Sequence, residues 1–83
     1  MILNVGDQVE ITQEFMQYNG FIIPEAYYQC MPGEDWRILR VGVGYVVLRE
    51  KVFIDAGIAR YDMECPFDIA TRMREAYLEK VQK

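Results

Sequence analysis

The chain contains no histidine and no serine, and its only threonines are Thr12 and Thr71. Those absences remove the usual apparatus of nucleophilic catalysis, which sets a hydroxyl or thiol beside a general base, most often an imidazole. Cys30 or Cys65 as a nucleophile would have only a carboxylate, a lysine or a tyrosine to activate it. With no histidine and two cysteines, the chain also falls short of the four ligands of a tetrahedral zinc site. No apolar run approaches the ~18 residues of a membrane-spanning helix. The opening Met1-Ile2-Leu3-Asn4-Val5-Gly6-Asp7 has no basic segment leading into an apolar one, so no secretory signal is expected and a cytoplasmic location is. Lysine and arginine are missing from residues 1–36 altogether.

What is present is enough for one domain. The 83 residues are 52% hydrophobic, which separates the chain from disordered sequences of similar acidity. A chain of this size hides roughly 60–65% of the surface its unfolded form exposes, so the core is real but thin. In a reducing compartment Cys30 and Cys65 are expected as free, buried core fillers. In an oxidising one they could pair and close a loop worth ~3–4 kcal/mol.

The net charge of −4 is distributed by segment. Asp7, Glu10, Glu14, Glu25, Glu34 and Asp35 fill the first 36 residues without a counter-charge. Residues 37–54 then carry Arg37, Arg40, Arg49 and Lys51 against Glu50, a local +3. Asp55, Asp62, Glu64 and Asp68 against Arg60 return residues 55–68 to −3, and the last fifteen residues hold +2. One explanation is internal, basic strands lying against acidic neighbours in the folded chain. The other is external, an acidic first half forming a field for a basic partner.

Val5, Val9 and Ile11 share one parity, with Gln8, Glu10 and Thr12 on the other, which predicts a half-buried strand entered through a Gly6-Asp7 bend. Thr12 to Asn19 reads as a loop or a short helical turn, followed by an Asn19-Gly20 turn. Phe21 to Met31 reads as a second extended segment, with Pro24 at an edge or bulge, closed by a Pro32-Gly33-Glu34-Asp35 turn. Trp36 to Val41 and Tyr45 to Leu48-Arg49 are rich in β-branched and aromatic residues, and Gly42-Val43-Gly44 joins them as a hairpin. A two-residue Val43-Gly44 loop pairs Val41 with Val46, Leu39 with Leu48 and Arg37 with Glu50; a longer loop shifts the register and flips the faces. Val52-Phe53-Ile54 reads as a possible continuation of the sheet, broken at Gly57. From Pro66, placed in a first helical turn with Asp68 beside it, the residues Ile69, Ala70, Met73, Ala76, Tyr77 and Val81 recur at helical spacing to about residue 81.

The expected fold is therefore α+β and mainly β, a single domain over 1–83 with a β-rich part over about 1–62 and one amphipathic helix over about 66–81. The order of short antiparallel strands and a final helix resembles an SH3-like small, partly open barrel. Gly6-Asp7-Gln8-Val9-Glu10-Ile11 looks like the first strand of many such barrels. The resemblance is architectural and names no function.

Three groups of residues bear on a site. Asp62, Glu64 and Asp68 lie within seven residues, but nothing spaces them as the alternate ligands of a calcium loop, and they read as a solvated segment before the helix. The glycines of Val41-Gly42-Val43-Gly44 precede a strand rather than a helix and are turn residues, not a phosphate cradle. Arg37, Arg40, Arg49 and Lys51, with Trp36 and Tyr45 nearby, would form a phosphate-and-stacking face for nucleic acid, against the field of a chain with pI near 4.7.

Protein recognition is the remaining reading. The chain has eleven aromatics, six of them tyrosines, and tyrosine, tryptophan and arginine dominate interface energy even where most rings fill a small core. Trp36, Phe53 and Phe67 are expected in the core, whereas the adjacent rings of Tyr27 and Tyr28 would point to opposite faces of a strand. The function expected is that of a non-enzymatic adaptor or inhibitor without cofactor or metal, meeting a basic protein through Glu10, Glu25, Tyr27, Tyr28, Glu34 and Asp35. In size, charge and poverty of chemistry the chain is similar to phage- or plasmid-encoded inhibitors of nucleic-acid enzymes, such as anti-restriction and anti-CRISPR proteins. A self-associating structural subunit is the second reading and a nucleic-acid-binding small barrel the third.

Overall fold

The computed structural model describes residues 1–19, 35–59 and 62–82. Seven elements follow in chain order. They are β1 (Gln8–Val9), α1 (Gln13–Tyr18), β2 (Trp36–Val41), β3 (Tyr45–Glu50), α2 (Lys51–Ala56), β4 (Met63–Pro66) and α3 (Phe67–Val81). The strands form one antiparallel sheet in the order β1-β2-β3-β4, and among the described residues it is open rather than closed. The mixed α+β architecture with a C-terminal helix is as expected. The extended reading of Phe21 to Met31 and the turns beside it lie outside the described residues.

One face of the sheet makes the core. Val9, Trp36, Ile38, Val46, Leu48 and Cys65 point to it, covered by Ile69, Ala70 and Met73 of α3, by Phe15 and Met16 of α1, and by Leu3 and Ile11. The first strand is shorter than the alternation implied. Val5 is 66% exposed, and Leu3 is the N-terminal residue that enters the core. The Gly6-Asp7 bend is present, with the Asn4 amide donating to Asp7 Oδ2 at 2.9 Å and the Asp7 amide donating to the Asn4 carbonyl at 3.1 Å.

Thr12 to Asn19 is helical, not a loop. Thr12 Oγ1 accepts from the Phe15 amide, and Asn19 Nδ2 donates to the Phe15 carbonyl at the other end. Both ends of this six-residue helix are thus capped by its own side chains, and the helix drives Phe15 and Met16 fully into the core.

The β2–β3 hairpin closes on a two-residue turn, the Gly42 amide donating to the Tyr45 carbonyl at 2.9 Å, and Val41 lies opposite Val46 as expected. Beyond that the register departs. A bulge between Ile38 and Arg40 shifts the ladder, so Ile38 faces Leu48, Arg37 faces Arg49 and Trp36 faces Glu50. An unbroken ladder would have turned Leu39 inward and left Trp36 and Ile38 on the opposite face. The extra residue lets Trp36, Ile38 and Val41 share one face despite their odd spacing. At Gly42 the cause of the glycine is contact as well as turning: a Cβ there would stand 2.4 Å from the Tyr45 ring.

Two elements differ from expectation in kind. Val52-Phe53-Ile54 belongs to α2, not to the sheet. The helix ends at Gly57, which adopts φ 70° and donates its amide to the Ile54 carbonyl. Met63 to Pro66 is an edge strand where a loop was expected, since Val46 and Leu48 on β3 take Cys65 and Met63 as inward-facing partners. Pro66 ends that strand at ψ 149° and so caps α3 rather than entering its first turn. The start of α3 buries Ile69, Ala70 and Met73, but Val81 at its end is 53% exposed. No helix among the described residues is long and apolar enough to cross a membrane.

Candidate functional site

The segregated charges of the sequence meet in the fold. The acids of the N-terminal segment reach the bases of α3. Glu14 takes a bidentate pair from Arg72 at 2.7 and 2.8 Å, Glu10 lies 3.3 Å from Lys80, and Asp7 lies 3.8 Å from Arg74. Arg74 also donates to the Gln8 carbonyl at 2.8 Å, and the Glu10 amide donates to the Met73 carbonyl at 3.0 Å. These contacts tie β1 and the segment after it to the helix.

The cations of the hairpin are engaged in the same way. Arg37 makes a bidentate pair with Asp35 at 2.6 and 3.0 Å, and Arg49 one with Asp62 at 2.6 and 2.8 Å. Lys51 lies 2.8 Å from Asp55, one helical turn along α2. Arg37 and Arg49 stand directly opposite on the outer face of the sheet, so each carboxylate also relieves a like-charge contact. The guanidinium beside each of Glu14, Asp35 and Asp62 holds that carboxyl below its ordinary range, chiefly through the hydrogen bond.

Of the residues expected at an acidic binding face, Glu10 and Asp35 are therefore in ion pairs of their own chain. Glu25, Tyr27, Tyr28 and Glu34 lie outside the described residues. Of the alternative basic face, Arg37, Arg49 and Lys51 are paired, and Arg40 alone is exposed without an ion pair among the described residues. Trp36 is 4% exposed and offers no surface for stacking, and Tyr45 is half-buried over Gly42. Asp62 is held by Arg49 on the outer face, and no metal-holding group of three or more acids or cysteines occurs among the described residues.

Of the carboxylates left without an ion pair among the described residues, Glu50 ends β3, Glu64 is exposed on β4, and the other three lie on α3. Asp68, Glu75 and Glu79 are exposed on α3, and their spacing of seven and four residues sets them on one side of the helix. Arg72 shares that side and feels Asp68 and Glu75, but its hydrogen bonds go to Glu14. Sequence reasoning missed this stripe because it weighed charge by segment. The +2 of the last fifteen residues conceals that their described bases turn toward the N-terminal acids while the acids turn outward. Among the exposed apolar side chains, Val43 at the hairpin tip is 99% exposed, with Val41 beside it.

Compared with protein-family models, with curated proteins and with solved structures, the chain matches none. The fold places it among small α+β proteins with an antiparallel sheet and a C-terminal helix, and no narrower class is defined.

Proposed function

We propose that this protein is a non-enzymatic protein-binding module, an adaptor or inhibitor that meets a basic partner through the outward carboxylates of α3. The observation that carries the reading is the uneven use of charge. Every described side-chain cation except Arg40 is engaged by a carboxylate of the same chain, whereas Asp68, Glu75 and Glu79 are exposed and unpaired. A nucleic-acid site needs a track of available cations; a basic protein needs the opposite. Glu25, Tyr27, Tyr28 and Glu34 remain part of the proposed contact on sequence grounds. The small-barrel, cytoplasmic, phage- or plasmid-type inhibitor of a nucleic-acid-handling protein remains the proposed setting, by analogy.

Affinity capture from lysate with and without nuclease, followed by binding of the isolated partner, tests the reading. Retention after nuclease, weaker binding as salt rises, and loss of binding in Glu75→Lys/Glu79→Lys are the expected results. Binding that nuclease abolishes, or that Arg40→Glu removes while the helix reversals do not, would overturn it in favour of nucleic acid. Self-association is the second reading, favoured by the exposed Val41 and Val43. It predicts a concentration-dependent mass in light scattering that Val43→Glu abolishes.

A further inference from the structure

Glu50 is the one charged side chain among the described residues that is buried, 4% exposed, and it has no cation. Among the described residues its Oε2 has no hydrogen-bond partner, and neither has the indole Nε1 of Trp36. The two residues face each other across the hairpin. The Lys51 amide donates to the Asp35 carbonyl at 2.7 Å, so 35/51 is a hydrogen-bonded pair and 36/50 the closer, non-hydrogen-bonded kind. Glu50 is also the last residue of β3 and the cap position of α2, where its side chain bonds no helix amide. The hairpin base and the start of α2 therefore close around a buried carboxyl group and an indole, each with one unsatisfied polar atom.

Among the described residues, no charged group holds an ionised Glu50 in place. Asp35, just before β2, acts on it with the same sign. Arg37 is bonded to Asp35, Arg49 to Asp62 on the other face, and Lys51 to Asp55. On α3, Arg72, Arg74 and Lys80 are engaged by Glu14, Asp7 and Glu10. Arg40 lies on the outer face opposite Val47. A single neutral indole donor does not offset burying a carboxylate beside a second one.

We propose that the Trp36–Glu50 pair is a proton-operated latch: with Glu50 neutral the hairpin base stays closed onto α2, and with Glu50 ionised its side chain leaves the core and the junction opens around Trp36. Burial first, and then Asp35, raise the Glu50 carboxyl above its ordinary range. The sign follows from the raised affinity for the proton. The stability tied to the latch is complete below the unfolded-state value and is lost as pH rises through the folded-state value.

Trp36 is the only tryptophan of the chain and so reports on its own neighbour. Emission excited at the red edge, where tyrosine is silent, is to be followed from about pH 4 to about pH 8, with the ordinary glutamate value near 4.3 as the reference. A red shift of the emission maximum with a midpoint above that reference is expected for the parent protein, and no shift for Glu50→Gln. A flat parent titration, or the same transition in Glu50→Gln, would overturn the latch. Should Glu50→Gln fail to fold, the carboxyl carbon of Glu50 in the parent decides by nuclear magnetic resonance. A midpoint above the reference supports the latch, and one at or below it overturns it.

Discussion

Cys65 has no exposed surface, lies opposite Val46, and directs its Sγ to the Pro66 carbonyl at 3.4 Å. Burial, with a smaller contribution from the charge of Glu14, pushes its thiol up to about 12. It is a free thiol, and thiolate rather than thiol is the reactive form. Alkylation of the native protein at pH 8 should therefore leave Cys65 unmodified in a peptide map, and the same reagent after denaturation should label it. Rapid native labelling would show that this part of the core opens. Met73 is likewise fully buried, against Tyr77 only half-buried beneath the Arg74 guanidinium at 5.5 Å. Met73→Asp should cost about 3 kcal/mol or more, and Tyr77→Asp roughly 1 kcal/mol, because only the first strands a charge away from water. Thermal melts that rank them the other way would misplace the helix face. These single positions were readable in the chain to different degrees. Trp36, Ile69, Ala70 and Met73 declare burial by type and spacing, whereas nothing local marks Glu50 as buried, since its depth comes from the register opposite Trp36.

Among the elements, those with a strong period were legible and those set by partners were not. The Ile69-to-Tyr77 periodicity marks α3, and the β-branched runs around Gly42-Val43-Gly44 mark the hairpin. The bulge between Ile38 and Arg40 is invisible to alternation alone, because it resolves a conflict between two runs that each look regular. Met63-Glu64-Cys65-Pro66 has weak strand propensity and becomes a strand because β3 offers it a core-facing ladder. Val52-Phe53-Ile54 carries strand-like residues and is helical, with the Lys51–Asp55 pair along it and a left-handed glycine at its end. That stop can be measured. Gly57→Ala places a Cβ residue at φ 70° with open space around it, so the loss is conformational rather than steric and should be about 1 kcal/mol. An unchanged melting temperature would mean that α2 frays at no cost and contributes little to the fold.

At the scale of the whole molecule the two explanations of the segregated charge can be separated. The acids of the first half are, among the described residues, internal partners of α3 and of β2, so the candidate acidic surface was legible only as an excess of charge and not as a place. The ion pairs differ in worth. Glu14 and Arg72 are about half exposed, and solvent screening leaves their pair little net worth. Asp62 and Arg49 are 24% and 14% exposed and bidentate, which makes theirs the best sheltered of the six pairs. Asp62 is held below its ordinary value of 3.8, so the stability it contributes is present above that value and is lost as pH falls through the lower folded-state value. The acid limb of a melting-temperature profile should therefore be blunted by Asp62→Asn, which also lowers the plateau, while Glu14→Gln leaves both nearly as they are. Asp62→Lys, which sets a third cation beside Arg49 and Arg40, should lower the plateau further. Glu75→Lys and Glu79→Lys, whose carboxylates face water, should leave the whole profile in place. If those helix reversals lowered the melting temperature as much as Asp62→Lys, their carboxylates would be holding the fold together, and the outward stripe of α3 could no longer be the charge set aside for a partner.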